Sequence, residues 1–398
     1  MLLLLAAAES LAMALWFSAT AVSPQLAERF DLSGAGQAWL TISVQLGFVA
    51  GALASALLNL ADRFRADRVL ASSALAGAAL NGLIALDIAP FAVALALRFA
   101  TGACLAGVYP TGMKLMATWF DRGRGMAIGA LVGALTVGSA SPHLFAAIGS
   151  ASRAASPDWR ITLWISSVSA LAAALIAWTM VRPGPLLPAA RSFSWRHAGV
   201  VFWSPAVRLA NLGYLGHMWE LYAMWAWAPI VVGASLRSAG LGDAAGRAAG
   251  FAIIAVGGAS AVLAGAVADR IGRTTVTIWS MAISGACALC AGLLFDHPLA
   301  LLAVCLLWGA FIVADSAQFS AAISELADPE HVGTALTMQT CLGFGLTWGT
   351  IRLTPEAAER WGWDVAFSLL AIGPALGVIA MARLRHRPEA AQMAAGRR

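Results

Sequence analysis

The sequence predicts an all-α membrane protein whose twelve transmembrane helices form two pseudo-symmetric six-helix bundles. Three observations predict it. Charged residues make up 11% of the 398 positions and hydrophobic ones 60%, with a mean hydropathy of +0.78, whereas a soluble domain carries about 25% charge. Twelve stretches reach the ~20 predominantly apolar residues that a helix needs to cross a hydrocarbon core. Charged segments after the second and eighth stretches echo one another, with Asp62 and Asp269 lying 207 positions apart.

In chain order the expected spans cover 2–23, 36–60, 67–87, 90–116, 124–148, 160–181, 207–233, 248–268, 275–295, 298–323, 333–353 and 364–384. The first starts almost at Met1. Its "MLLLLAAAESLAMALWFSATAV" lacks the basic opening of a signal peptide, and its apolar character continues through Trp16 and Phe17. The second ends at "LADRFRADR", which bounds the third; the fourth carries Arg98 and Pro110, and the fifth is the glycine-rich "GALVGALTVGSASP". Small residues inside spans are what close helix packing in membranes requires.

After the sixth span comes the longest polar, Pro-rich interruption, "RPGPLLPAARSFSWRHAG". The seventh follows, with its tryptophans, then the eighth and ninth around "GAVADRIGRT", the tenth with Asp315, and the glycine-rich eleventh and twelfth. A second echo pairs "DRGRGMAIGALVG" after the fourth span with "DPEHVGTALTMQTCLG" after the tenth. The expected division is a first bundle over 1–182, a linker over 183–205, a second bundle over 206–385 and a tail over 386–398.

The basic excess, +5 with a pI near 9.3, reads as topology. Of the 25 Lys and Arg, seventeen fall in the even-numbered links, the linker and the tail, seven on the opposite side, and Arg98 inside a span. The positive-inside rule makes both termini cytoplasmic and the protein a multi-pass component of the cell's inner (plasma) membrane. No basic face with interleaved aromatics marks a nucleic-acid partner. Cys104, Cys287, Cys290, Cys305 and Cys341 all lie in apolar runs, where Cys behaves as a small hydrophobe. The C-x-x-C at Cys287 and Cys290 lacks a second ligand pair, so neither metal nor cofactor is expected.

Gly265, Asp269, Arg270, Gly272 and Arg273 match the G-x-x-x-D-R-x-G-R-[RK] loop signature, departing at Thr274. On these residues the chain resembles the major facilitator superfamily over its whole length. The first-half copy, with Asp62 and Arg63, is degraded: Leu58 stands where the glycine belongs, and Ala66 precedes Asp67. Gly265 lets helices approach, Gly272 permits a tight turn, and the charges offer strong bonds to neighbouring helix ends. The resemblance implies a conformational latch for the outward-facing state; a positive-inside anchor is the plainer alternative.

A charge at bilayer depth costs at least ~2.5–3.5 kcal/mol, so each one is a functional candidate. Arg98 shares a stripe with Gly102, Leu105 and Tyr109, and "RFATGACLAGVYP" resembles the family's fourth-helix R-x-x-x-G pattern, which implies proton coupling or an anionic substrate. The alternative is an Arg snorkelling to the outer surface. Glu220 shares a face with His217, Met224 and Trp227, with Tyr222 beside it, as suits a proton carrier or a helix-gluing His–Glu pair. Asp315 follows Trp308 and Phe311 at helical spacing and precedes Gln318; it either lines the cavity or, with Ser316, caps a local break. Glu9 occupies the inner third of the first span and reaches the interface if the chain starts at Met1. Lys114 is expected as an interfacial anchor, and His143, after Pro142, near the outer end of the fifth span.

These readings together predict a secondary active transporter, not an enzyme. It would be a monomer moving a small organic solute, foremost an organic anion or amphipathic metabolite, by alternating access. No nucleotide-binding G-x-x-x-x-G-K-[ST] loop is present, so protons are the expected drive. The rival readings are proton-driven efflux of cationic or hydrophobic compounds, and a non-transporting receptor, which would need a soluble module that the sequence lacks. A membrane enzyme would need an H-E-x-x-H or G-x-S-x-G constellation, and neither occurs.

Overall fold

A computed structural model describes residues 1–397 apart from 89, 121–123, 152–157, 187–198 and 329–330. No strand occurs among the described residues, and helix occupies all twelve expected segments. Among the described residues, nine of them are single helices or helix pairs long and apolar enough to cross a bilayer. The other three are the first segment and the helices Pro205–Ser238 and Val332–Trp361. The first is broken. The other two carry His217 and Glu220, and Gln339 and Arg352. These three polar segments meet at the interface between the bundles, where Trp16 lies 5.8 Å from Tyr222 and 5.5 Å from Phe344, and Tyr222 lies 5.1 Å from Phe344.

Three breaks shape the interior. The first span runs helically over Leu2–Met13, turns through 14–19, and resumes as Ser23–Phe30. The fourth span is Phe91–Leu105 followed, after 106–108, by Tyr109–Ala117 with Pro110 in its first turn. The tenth is Pro298–Ala314, then Asp315, then Ser316–Leu326. The fourth and tenth breaks coincide under the 207-residue repeat, since Val108 maps onto Asp315. The first and seventh do not: Pro205–Ser238 is one unbroken helix although it contains Pro229.

The bundles touch along the fifth span (Arg124–Ala151) and the eighth (Asp243–Ile271). A Cβ on Gly133 would stand 2.7 Å from the Gly258 carbonyl oxygen, so only glycine permits this approach. The second span (Gly34–Leu57) meets Val332–Trp361 from the opposite bundle, and Thr347 Oγ1 donates to Gln45 Oε1 across that seam. At the end opposite the termini Arg247 of the eighth span donates to the Ala146 carbonyl of the fifth, a bond from one half to the other. At the end holding both termini the halves part around a cavity of about 520 Å³.

Candidate functional site

The cavity lies between the ends nearest the termini of the second, fourth and fifth spans of one bundle and the tenth and eleventh of the other. Met113, Met116, Phe120, Ile128 and Leu336 make its wall largely apolar, while Asn59, Tyr109, Ser324 and Thr337 give it polar points. Lys114 is the one charged side chain among the described lining residues. Above it sits a buried aromatic layer. Trp16 packs on Phe48 at 5.0 Å, Phe48 on Phe344 at 4.7 Å, and Tyr222 on Trp225 at 5.4 Å. Tyr109 lines the cavity and Tyr222 belongs to the aromatic layer, while Tyr214, the third tyrosine of the chain, packs against His217 and Phe319.

In the first bundle the polar centre is Arg98, fully buried in the fourth span. The broken turn of the first span leaves carbonyls without helical donors, and the guanidinium supplies them. Nη1 donates to Leu15 O at 2.8 Å and to Ser18 Oγ at 3.0 Å, Nη2 to Trp16 O, and Nε to Leu40 O of the second span at 3.2 Å. Ser18 in turn donates to Asn81 Oδ1 at 2.7 Å, and Asn81 donates to Leu163 O and Ser167 Oγ, each at 3.0 Å. The network ties five of the six spans, the fifth excepted, and uses the Arg fork on backbone carbonyls instead of a carboxylate.

In the second bundle His217, Glu220 and Asp315 are all buried, but the pairing is not the one that the shared face of His217 and Glu220 suggests. His217 Nδ1 lies 2.9 Å from Asp315 Oδ1, across to the tenth span. Glu220 accepts instead from Trp308 Nε1 at 2.7 Å and from Ser284 Oγ at 2.9 Å. A helical face three residues apart still fans outward, so His217 and Glu220 reach different neighbours. Asp315 itself occupies the break in the tenth span.

Glu9 is fully buried rather than at the interface, and neither carboxylate oxygen has a hydrogen-bond partner. It lies beside Gly112, where a Cβ would stand 3.0 Å from Oε2, on the short helix that also carries Tyr109 of the cavity wall. Trp227 is drawn away from the cavity: its Nε1 donates to Ile351 O at 3.1 Å and its ring lies against Trp363. Gln318 belongs elsewhere as well, because its Oε1 accepts from Arg273 at 2.9 Å.

That last contact is part of the loop cluster. Gly272 has φ +99°, a left-handed backbone that favours glycine, and turns the eighth span into the ninth (Arg273–Ala291). Buried Arg273 then makes a two-pronged bond to Glu325 of the tenth span at 2.6 and 2.7 Å, with Asp269 3.6 Å away. The tail closes over it, with Ala394 N donating to Glu325 Oε2 at 3.1 Å and Arg397 Nη1 to Asp269 O at 2.6 Å. Gly265 is buried and Arg270 exposed. Among the described residues these contacts join the second bundle to itself and to the tail. In the first, Arg63 is exposed and the Asp62 side chain lies outside the described residues; Arg65 pairs with buried Asp67 at 2.9 Å. Of the linker over 183–205, positions 187–198 also lie outside them, including Arg191 and Arg196.

Sequence reading missed Ser18, Asn81, Ser284 and Glu325. Asn81 was visible as a lone amide in an apolar span. The others needed knowledge of which helices face one another.

A family model described as Major Facilitator Superfamily matches residues 4–260. No curated protein sequence matches. Among solved structures, the proton:xylose symporter XylE bound to 6-bromo-6-deoxy-D-glucose superposes with a TM-score of 0.76 at 13% identity, covering 96% of this chain and 95% of that one. A bacterial homologue of the human lysosomal transporter Spinster, in an inward-facing and unoccupied conformation, gives 0.71 at 17% identity, covering 97% and 98%. At such identities the likeness speaks to fold alone.

Proposed function

The chain belongs to the major facilitator superfamily, and from that premise we propose that it moves a small amphipathic organic anion across the cell's inner membrane by proton-coupled alternating access. The observation that carries the reading is the cavity of about 520 Å³ between the bundles, apolar and aromatic in its walls with Lys114 as its charged residue. That size and lining suit a small amphipathic molecule, and the lysine supplies a counter-charge for a carboxylate. The state is inward-facing under the positive-inside orientation, with both termini cytoplasmic.

Proton coupling is assigned to Glu220, with Asp315 and Glu9 as rival carriers. Glu220 is held by two donors from two other spans, so gaining a proton rearranges bonds that tie three helices together. Such a group makes protonation felt by the packing of the bundle, which coupling requires. Arg98 acts as a positioning residue that fixes the unwound turn bearing Trp16 and Phe17 beneath the outer closure. The protein works as a monomer with no cofactor. Glu9, unpartnered beside Gly112, favours the second reading, proton-driven efflux of cationic or hydrophobic compounds.

The test is flux in proteoliposomes over a panel of labelled organic acids and amines, with and without a pH gradient. Accumulation of acids that depends on the gradient supports the proposal. Accumulation of amines alone moves it to the second reading, and the absence of any flux across the panel overturns it.

A further inference from the structure

At the end opposite the termini lies a second cavity of about 420 Å³, also shared by the two bundles and not used by the reading above. His143 of the fifth span, Gln25 and Thr20 line it from one bundle, and Arg247 of the eighth span from the other. His143 is 5% exposed and its Nε2 has no partner. Half-buried Arg247 donates through Nη1 to Ala146 O at 3.2 Å, which crosses between the bundles. With its amide oxygen turned inward, Gln25 accepts from both Arg247 Nη atoms, while its nitrogen donates to Val22 O at 3.1 Å.

These acceptors are neutral, and among the described residues no carboxylate forms an ion pair with Arg247. The acids of this cavity stand at its exposed rim: Asp243 is taken by Arg237 at 3.3 Å, and Glu28 faces solvent, where its charge is screened. The deep part therefore holds a planar fork and an imidazole nitrogen with nothing negative to answer them.

We propose that this outer vestibule is a carboxylate-binding site, in which a small monocarboxylate docks on the Arg247 fork and on Nε2–H of His143. The proposal rests on the anionic-solute reading and adds a second station for that solute. A docked carboxylate competes with Gln25 and the Ala146 carbonyl for the same guanidinium. Those contacts hold the outer ends together, so the ligand binds more tightly when they part and shifts the protein toward the outward-open state.

Benzoate is the probe and benzylamine its control, titrated calorimetrically into the purified full chain. Benzoate binds the wild type, Arg247→Gln weakens it at least about tenfold, Arg247→Lys falls between, and His143→Gln weakens it about threefold, as expected for charge-assisted bonds of unequal strength. The Arg247→Lys protein guards against a folding defect. A second measurement follows the distance between spin labels at Ile88→Cys and Leu241→Cys, after replacement of the five native cysteines, and benzoate lengthens it. Benzoate binding that is lost in Lys114→Gln but unchanged in Arg247→Gln overturns the site while leaving the transport reading intact. Binding that needs Arg247, without benzoate flux in liposomes, supports the site and removes benzoate from the transported solutes. Benzylamine binding as tightly as benzoate, or no benzoate effect on heat or distance, overturns the proposal.

Discussion

The two bundles solve the problem of a buried charge in opposite ways. The first surrounds Arg98 with three backbone carbonyls, two from an unwound turn and one from the second span, acceptors that cannot titrate or leave, and adds the single hydroxyl of Ser18. The second surrounds Glu220 with a Trp N–H and a Ser hydroxyl, and sets His217 beside Asp315, where every partner is a side chain that can rotate or exchange a proton. One centre is built for rigidity and the other for change. The difference teaches that a buried ionisable residue is a mobile element only if its partners are.

The comparison breaks most easily at Arg98. Arg98→Met takes the shared donor from the carbonyls of Leu15, Trp16 and Leu40, which should cost about 1–3 kcal/mol for each acceptor left unsatisfied. Arg98→Lys keeps the charge but not the fork and should fall between. Unfolding in mild detergent with rising denaturant reads both, and an Arg98→Met protein as stable as wild type would mean that the first centre is no scaffold.

Glu220→Gln keeps the shape and an acceptor for Trp308, so stability should change by less than about 1.5 kcal/mol. Accumulation driven by a pH gradient should nevertheless disappear, while exchange of solute without a gradient survives. If Glu220→Gln still concentrates solute and Asp315→Asn does not, the carrier is on the tenth span.

The loop copies sharpen the contrast further. Arg273→Gln removes a two-pronged bond to Glu325 and should slow flux severalfold at unchanged solute affinity. Asp269→Asn, 3.6 Å from Arg273 and partly exposed, should slow it less, and Asp62→Asn in the degraded copy least. Equal rates in all three single variants would remove any conformational role for the cluster. The smallest effect is expected of His217→Asn, which should shift the pH optimum without abolishing coupling, because His217 pairs with Asp315 and not with the assigned carrier Glu220. Complete loss of coupling in this variant would make His217 itself the carrier.

The spans were legible because bilayer thickness demands a run of apolar residues that no other constraint mimics. The break at Asp315 was legible as one of two readings, since a charged residue followed by Ser interrupts an apolar run. The break at 14–19 was not. "ALWFSA" contains neither Gly nor Pro, and the residue that holds the turn open is Arg98, more than eighty positions away. Partner choice at His217 and Glu220 was hidden for the same reason: a face is a local property, whereas Asp315, Trp308 and Ser284 arrive through packing. The burial of Glu9 shows the limit from the other side, because distance from the chain start says little once neighbouring helices cover it.

Under the proposed proton coupling, the aromatic layer of Trp16, Phe48, Tyr222 and Phe344 bears on the cell's energy supply. It lies between the two cavities, and its rings are buried and in mutual contact. A file of water molecules spanning that gap would short-circuit the membrane, letting protons run down their gradient with no solute in exchange. The tilted, mutually packed rings act as electrical insulation, and under the proposed proton coupling how well they exclude water fixes how much of the gradient reaches the cargo.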